Sequence, residues 1–431
     1  MRKIFAVSLG CPKNLADSEE ALAGFRARGW VLVPEGRADA AFLNTCGFLQ
    51  ASIEEAEGEI RRLLALKRAG KIRKIAVGGC LVQRLGLEKM ARRFPEVDVF
   101  AGVADTARIA ELLESGESAL EPLPEALCAP EGRLRLTLPH TAYLKIADGC
   151  DNRCSYCAIP SIRGSFRSKP VAAVLDEARA LAASGAREII LIAQDTTSYG
   201  CDLPGKPTLA ALLQKLARLR GASWLRVMYA RPERVTPELA KVMAREKKIC
   251  KYLDVPLQHC CARVLHAMNR RYGQELIEDK LALLRRHMPE IAVRTTFISG
   301  FPGETAAEAA ALERFVAGAG FSSAGVFPYS REPGTPAAEL PDAIPPAERR
   351  RRASRVLAAQ SAAVDRLNEK ILGRSFEVLM DTPLFGRTFM DAPEIDGYVE
   401  VKSRRPLAPG DLVNVKITQA RGYARKGECD E

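Results

Sequence analysis

At 431 residues, 47% apolar and 27% charged, the chain is long enough for two or three packed domains and is neither disordered nor fibrous in composition. No apolar run reaches the roughly 20 residues that span a bilayer. The opening Met1-Arg2-Lys3 with IFAVSLG is too short for an export signal and runs straight into Cys11, so a cytoplasmic protein with a buried first strand is expected. A formal charge of +11 keeps nucleic acid open as a partner, and twelve cysteines in a reducing compartment point to metal ligation, catalysis or core packing rather than disulfides.

The first third repeats one pattern. KIFAVSLGC, AAFLNTC and KIAVGGC are short apolar runs that end at Cys11, Cys46 and Cys80. The helix-like stretches LADSEEALAGFRARG and ASIEEAEGEIRRLLALKRAG lie between them, both closed by glycine. Strand, helix and strand in this rhythm predict a parallel βαβ sheet over residues 1–130. Ligands bind at the carboxyl edge of such sheets, so the three cysteines are expected to converge there. The bland alternative is that each is a small apolar residue ending a buried strand.

After a Pro-rich passage from Ser118 to Pro139, strand-like runs recur as TAYLKIA, EIILIAQ, WLRVMYA, KYLDVPLQ, VRTTFIS and SAGVFPY. Helical patterns such as PVAAVLDEARALAASG and ELIEDKLALLRRHM alternate with them, which predicts an open, partial (β/α)6 barrel over residues 136–370. Its last element is a long helix after Pro345 and Pro346, with the Arg349–Arg352 run on a solvated face. From 371 to 431 short runs divided by Gly, Pro and Asp suggest a small antiparallel β-barrel.

The strongest chemical signal is GCDNRCSYCAIP, which spaces Cys150, Cys154 and Cys157 over one loop after the first barrel strand. Three thiolates there can ligate three irons of a four-iron cluster and leave the fourth open for chemistry, with Tyr156 shielding it from water. Zinc fits less well, since the loop offers three ligands and no neighbouring histidine. The loop resembles the radical S-adenosylmethionine superfamily. That resemblance implies that the open iron binds the amine and carboxylate of S-adenosylmethionine, and that one electron then releases a 5′-deoxyadenosyl radical. Residues at other strand ends are candidates for reading the adenosine: Gln194 with Asp195, Gln258 with His259, Gly300 with Glu304, and Phe327 to Ser330. The alternative for these is turn glycines and polar groups satisfied at strand ends. Cys128, Cys201, Cys250, Cys260, Cys261 and Cys429 show no ligand spacing, and His140, His266 and His287 suggest ordinary packing.

The whole chain, in the same order, resembles the methylthiotransferases, whose C-terminal barrel is called TRAM. The resemblance implies two [4Fe-4S] clusters, the second on Cys11, Cys46 and Cys80, where the sulfur to be inserted is carried. One S-adenosylmethionine then methylates that sulfur, and a second yields the radical. SLGCPKN, NTCGF and APEIDGYV look like the branch that modifies the β-carbon of an aspartate in the twelfth small-subunit ribosomal protein. From Arg374 onward the tail holds nine Lys/Arg against ten Asp/Glu. Such a tail is poorly suited to gripping phosphate, and an acidic cluster at Asp391, Glu394, Asp396 and Glu400 is expected to suit a basic ribosomal protein. The rivals are a methylthiotransferase acting on tRNA adenosine beside the anticodon, and a non-enzymatic iron–sulfur or zinc protein of the ribosome. The electron donor and sulfur donor stay unknown at this level, and no membrane partner is expected.

Overall fold

The three cysteine-terminated runs form the strands Arg2–Ser8, Ala40–Thr45 and Lys74–Gly79 in a computed structural model, which describes residues 2–130, 132–341 and 343–429. With Trp30–Leu32 outside the first and Val99–Ala101 outside the third, they make a five-stranded, wholly parallel sheet. Alternation along the strands sorts the core. Phe5, Leu43, Ile75 and Val77 point to one face, against Ile53, Ile60 and Leu63 of the helix Gln50–Arg68. Ile4, Phe42 and Ala76 point to the other, against Leu22 and Phe25 of the helix Pro12–Ala27 and the short helix Ile109–Ser115. Both faces are covered, which is why Ala40–Thr45 is buried along its whole length. The two outer strands are three residues each, too short to show a period in the sequence.

Contacts divide the chain into two units. The first joins Met1–Leu136 to Tyr143–Glu177 and Glu332–Thr335, so it holds this sheet and the GCDNRCSYCAIP loop together. The second joins Thr137–Ala142, Ala178–Arg331 and Pro336–Glu431.

In the second unit Glu188–Ile192, Trp224–Val227, Ile249–Asp254, Ala292–Ser299 and Ser323–Pro328 lie side by side in chain order, each pair parallel. Thr141–Lys145 takes the place beyond Glu188–Ile192 in an open six-stranded sheet. The long helix runs from Pro346 to Asn368. Its arginine run is not a solvated face throughout. Arg351 is exposed, but Arg349 is buried and donates to the carbonyls of Ile344 and Tyr329, both at 3.1 Å. Arg352 donates to Glu304 at 2.8 Å. Residues three apart share one side of a helix, so two of the four arginines turn inward.

Ser375–Met380, Phe385–Arg387, Tyr398–Lys402, Leu412–Arg421 and Ala424–Cys429 close into a barrel around Val378, Val399, Val401, Val413, Val415 and Ile417. Four pairings are antiparallel and one, Tyr398–Lys402 with Ala424–Cys429, is parallel. A ring of five strands cannot alternate direction all the way round, so one parallel pair is unavoidable.

The expected acidic patch on this barrel does not form. Asp391 is buried and accepts from Arg425 with both oxygens at 2.8 Å. Asp396, its side chain 2% exposed, accepts from Tyr252 at 2.8 Å. Glu394 stays exposed, and Glu400 pairs with Lys426 at 2.7 Å. The carboxylates were close in sequence because they fold the barrel, so charge gives no argument for a basic partner.

Arg387 ties the barrel to the sheet of its unit. It donates to Glu188 at 2.7 Å and to Asp381 at 2.7 and 3.0 Å, while Arg226 donates to the other Glu188 oxygen at 2.7 Å. Burial raises both carboxyls, but Arg387 and Arg226 at Glu188, and His140 and Arg387 at Asp381, outweigh it and hold them below the ordinary carboxylate range. Carboxyls lowered in the folded state stabilise it fully above their unfolded pKa, and that stability is lost as pH falls through the folded value. Arg387→Met removes the cation shared by Glu188 and Asp381, leaving them Arg226 and His140, and should cost about 3–5 kcal/mol in urea denaturation at neutral pH. The same variant should lose less further stability than the parent on acidification; an equal acid slope in both would show that Arg387 does not depress these groups.

Candidate functional site

Cys11, Cys46 and Cys80 follow the carboxyl ends of three adjacent strands by three, one and one residues. Their motif neighbours fasten the three turns to one another. Asn14 donates to the carbonyl of Leu9 at 2.7 Å, and Asn44 of the NTC run donates to the Asn14 carbonyl at 2.9 Å and to Ser18 at 2.8 Å. On the other side Thr45 donates to the carbonyl of Gly78 at 2.6 Å and accepts from the Leu81 amide at 3.3 Å. Arg84, on the helix Cys80–Leu85, donates to the carbonyls of Gly47 and Phe48 at 2.8 and 3.1 Å and pairs with Glu332 at 3.1 Å. The turns approach so closely that a Cβ on Gly10 would lie 2.6 Å from the Cys46 Cβ, and one on Gly47 2.8 Å from the Cys80 carbonyl. Glycine is therefore required beside the first two cysteines.

The three thiols feel one another. Burial raises the Cys46 thiol, and proximity to Cys11 adds to the rise. Cys80 is pushed up to about 11, by burial first and then by Cys11 and Cys46, with Arg163 opposing. Crowded thiols of this kind bind a cationic metal core by giving up their protons, so the donor set fits an iron–sulfur cluster.

Cys150, Cys154 and Cys157 lie on the loop after Thr141–Lys145 and Ala147–Asp148, in the same unit. The Cys150 amide donates to the Gly164 carbonyl at 3.0 Å and the Cys157 amide to that of Cys154 at 3.1 Å, which curls the loop back on itself. Asn152 donates to the Cys150 sulfur at 3.3 Å. Cys154 is buried while Cys150, Cys157 and Tyr156 are half-buried, an arrangement that fits ligands anchored inside with a face open to a small molecule.

Arg163, which motif spacing did not single out, sits at the end of the short helix Ile159–Arg163 that follows the loop. Its buried guanidinium pairs with Asp17 at 2.8 Å and Asp148 at 2.9 Å, and donates to the Cys80 sulfur at 3.3 Å. Lys145 bonds Asp17 and stands 3.8 Å from Asp148, which balances two carboxylates with two cations. Ala158 and Ile162 pack against Cys80 in one apolar group. The two cysteine sets are thus joined by packing and by charge within one unit.

The strand-end candidates in the second unit behave differently from one another. Gln194 follows Glu188–Ile192 and is half-buried. Asp195 accepts from Thr197 at 2.6 Å, Ser198 at 2.7 Å and Arg234 at 2.5 Å, so it organises its own turn. Gln258, at φ +72°, continues the pairing beyond Ile249–Asp254: its amide donates to Thr296 at 2.8 Å and its carbonyl accepts from Ile298 at 2.8 Å. Gly300 has φ +75°, and a Cβ there would strike the Arg349 side chain at 2.4 Å. Glu304 accepts from the Gly300 amide and from Arg352, both at 2.8 Å, so both its oxygens serve the turn. Phe327 is exposed and Tyr329 buried.

Among the described residues one trio, His259, Cys260 and Cys261, holds its donor atoms within 4.8 Å, the span of a single ion. The Cys261 amide donates to His259 Nδ1 at 3.0 Å, which places the ring proton on Nε2, facing Glu304 at 3.5 Å. With one nitrogen accepting and the other protonated, this histidine offers no lone pair to a metal.

Comparison with known proteins agrees with the geometry. Residues 144–316 match the model of the radical SAM superfamily, residues 3–102 that of the uncharacterized protein family UPF0004, and residues 372–429 that of the TRAM domain. A solved radical S-adenosylmethionine methyltransferase, TsrM from Kitasatospora setae, shares the fold with a TM-score of 0.58 and 14% identity, over 78% of this chain and 74% of that one. The ribosomal protein uS12 methylthiotransferase RimO of Elusimicrobium minutum is 46% identical over 99% of this chain and 100% of its own length. RimO of Geobacter sulfurreducens is 43% identical over 99% and 98%. Likeness of that degree across the full length of both relatives means that the chain belongs to the RimO family of radical SAM methylthiotransferases.

Proposed function

We propose that this chain attaches a methylthio group to ribosomal protein uS12, at the β-carbon of an aspartate, and works in the cytoplasm. Full-length relatedness to RimO enzymes carries the reading, and the gathering of two cysteine sets in one unit supports it. S-Adenosylmethionine and two [4Fe-4S] clusters supply the radical and the sulfur when bound. Cys150, Cys154 and Cys157 hold the cluster that cleaves S-adenosylmethionine, and Cys11, Cys46 and Cys80 hold the one that carries sulfur. Residues 1–130, 136–370 and 371–431 divide the work into sulfur carriage, radical generation and the TRAM barrel.

A radical route suits the target, because an unactivated C–H bond gives no purchase to acid–base catalysis at neutral pH. The chain's own residues have to hold the reactants in register and keep water away. Asn14, Asn44 and Thr45 fix the spacing of the first three cysteines through the bonds described above. Tyr156 shields the loop. Gln194, Gln258 and the Gly300 backbone contact S-adenosylmethionine, and Glu304 contributes by holding the Gly300 turn. Among the described residues no helix is long and apolar enough to cross a membrane.

Cys157→Ala should reduce 5′-deoxyadenosine release from cluster-loaded enzyme to background, whereas Cys46→Ala should keep that release and lose methylthio transfer. Normal transfer by Cys46→Ala would overturn the division of labour between the clusters. In an anaerobic competition with S-adenosylmethionine, sulfide and reductant, uS12 and unmodified tRNA are offered together and both are read by mass spectrometry. The mass gain is expected on an aspartate of uS12 alone; a gain confined to tRNA adenosine would refute the substrate assignment while keeping the chemistry.

A further inference from the structure

We propose that Arg163 is a positioning residue for the Cys11, Cys46 and Cys80 centre: its guanidinium holds the Cys80 sulfur by a hydrogen bond and thereby sets the reduction potential of the cluster bound there. This rests on the ligand assignment made above. The guanidinium belongs to the helix that follows the other cysteine loop, yet one of its arms ends on a sulfur of the N-terminal set at 3.3 Å. That same nitrogen lies 3.4 Å from the Asn14 side-chain oxygen, and Asn14 is the residue that fastens the Cys11 turn.

The other arm is held by Asp17 and Asp148, at 2.8 and 2.9 Å, so the direction of the donor is fixed by two ion pairs. Arg163 is 2% exposed, and Lys145 completes a neutral set of four buried charges. A donor locked in this way and shielded from water acts on the sulfur at full strength. Hydrogen bonds to ligating sulfurs stabilise the more negative, reduced form of a cluster and raise its potential. A planar fork suits the task, because it can meet two carboxylates and a sulfur at once, which a lysine ammonium cannot do with the same geometry.

The test uses the full-length chain in a Cys150→Ala/Cys154→Ala/Cys157→Ala background, loaded anaerobically, so that only the N-terminal cluster reports. Arg163→Gln with Asp17→Asn removes one cation and one anion together and keeps the buried set neutral. The shift in that double variant therefore reports the lost hydrogen bond rather than a changed net charge. Arg163→Lys, which keeps the cation and its ion pairs, is the second variant in case the first does not fold. Iron per chain, thermal unfolding and a potential titration followed by electron paramagnetic resonance are read on each.

The expected result is a lower midpoint potential in the double variant and a smaller shift of the same sign in Arg163→Lys, at equal iron content. An unchanged potential in a folded, iron-loaded variant would overturn the proposal and leave Arg163 a purely structural ion pair. If the cysteine background itself binds no iron, the assignment of Cys11, Cys46 and Cys80 as ligands falls first, and this proposal with it.

Discussion

Four buried charges, Asp17, Lys145, Asp148 and Arg163, tie together the parts of the first unit that carry its two cysteine sets. None of the four can leave alone without stranding an opposite charge in a dry interior, a change that costs far more than a surface ion pair would. Apolar packing could join a parallel sheet to a loop in many registers. Charges with fixed directions select one, and the group of Cys80, Ala158 and Ile162 then packs in that register. Precision of this kind is what radical transfer demands, because the reacting carbon must meet both the radical and the sulfur before either is quenched.

The second unit solves a related problem with the same means. Arg387 and Arg226 share the two oxygens of Glu188, and Arg387 reaches on to Asp381, so the small barrel is locked to its sheet by directed charge. The Gly300 turn repeats the theme on a smaller scale: Glu304 accepts from the turn's amide and from Arg352 of the long helix, and Arg349 fills the space a side chain would otherwise take. In both units arginine does the joining, consistent with a planar donor that satisfies two acceptors in fixed directions.

The periodic parts of this fold were legible in the sequence. Three apolar runs ending in cysteine became three adjacent strands, and six further runs became the open sheet, because short continuous apolar runs at regular spacing encode strands that are buried on both faces. The Cys150, Cys154 and Cys157 spacing was legible because spacing on a loop is a local property, and the other three cysteines because each ends a strand-like run. Arg163 was not, since its partners Asp17 and Cys80 lie 146 and 83 residues away in the chain and nothing local marks it. The acidic cluster from Asp391 to Glu400 misled for the converse reason. Charge composition says how many carboxylates a segment carries, but burial decides which of them reach the surface, and Asp391 and Asp396 are held inside by Arg425 and Tyr252. The inward turn of Arg349 and Arg352 is the same lesson on a helix.

Glu332 gives the first unit a dependence on the order of synthesis. This residue comes after the last strand of the open sheet, yet it belongs to the first unit, where it pairs with Arg84 and accepts from the Gln50 amide at 2.9 Å. Those two contacts clamp the segment that carries Cys46. On a growing chain the N-terminal sheet can pair its strands early, because its contacts are local, but the segment after Cys46 lacks its bond to Glu332 until some 280 further residues have been made. Those contacts therefore form only after the strands of the open sheet have been translated. A fragment cut between Cys157 and Glu332 would retain all six cysteines and still lack the Glu332 contacts to Arg84 and Gln50.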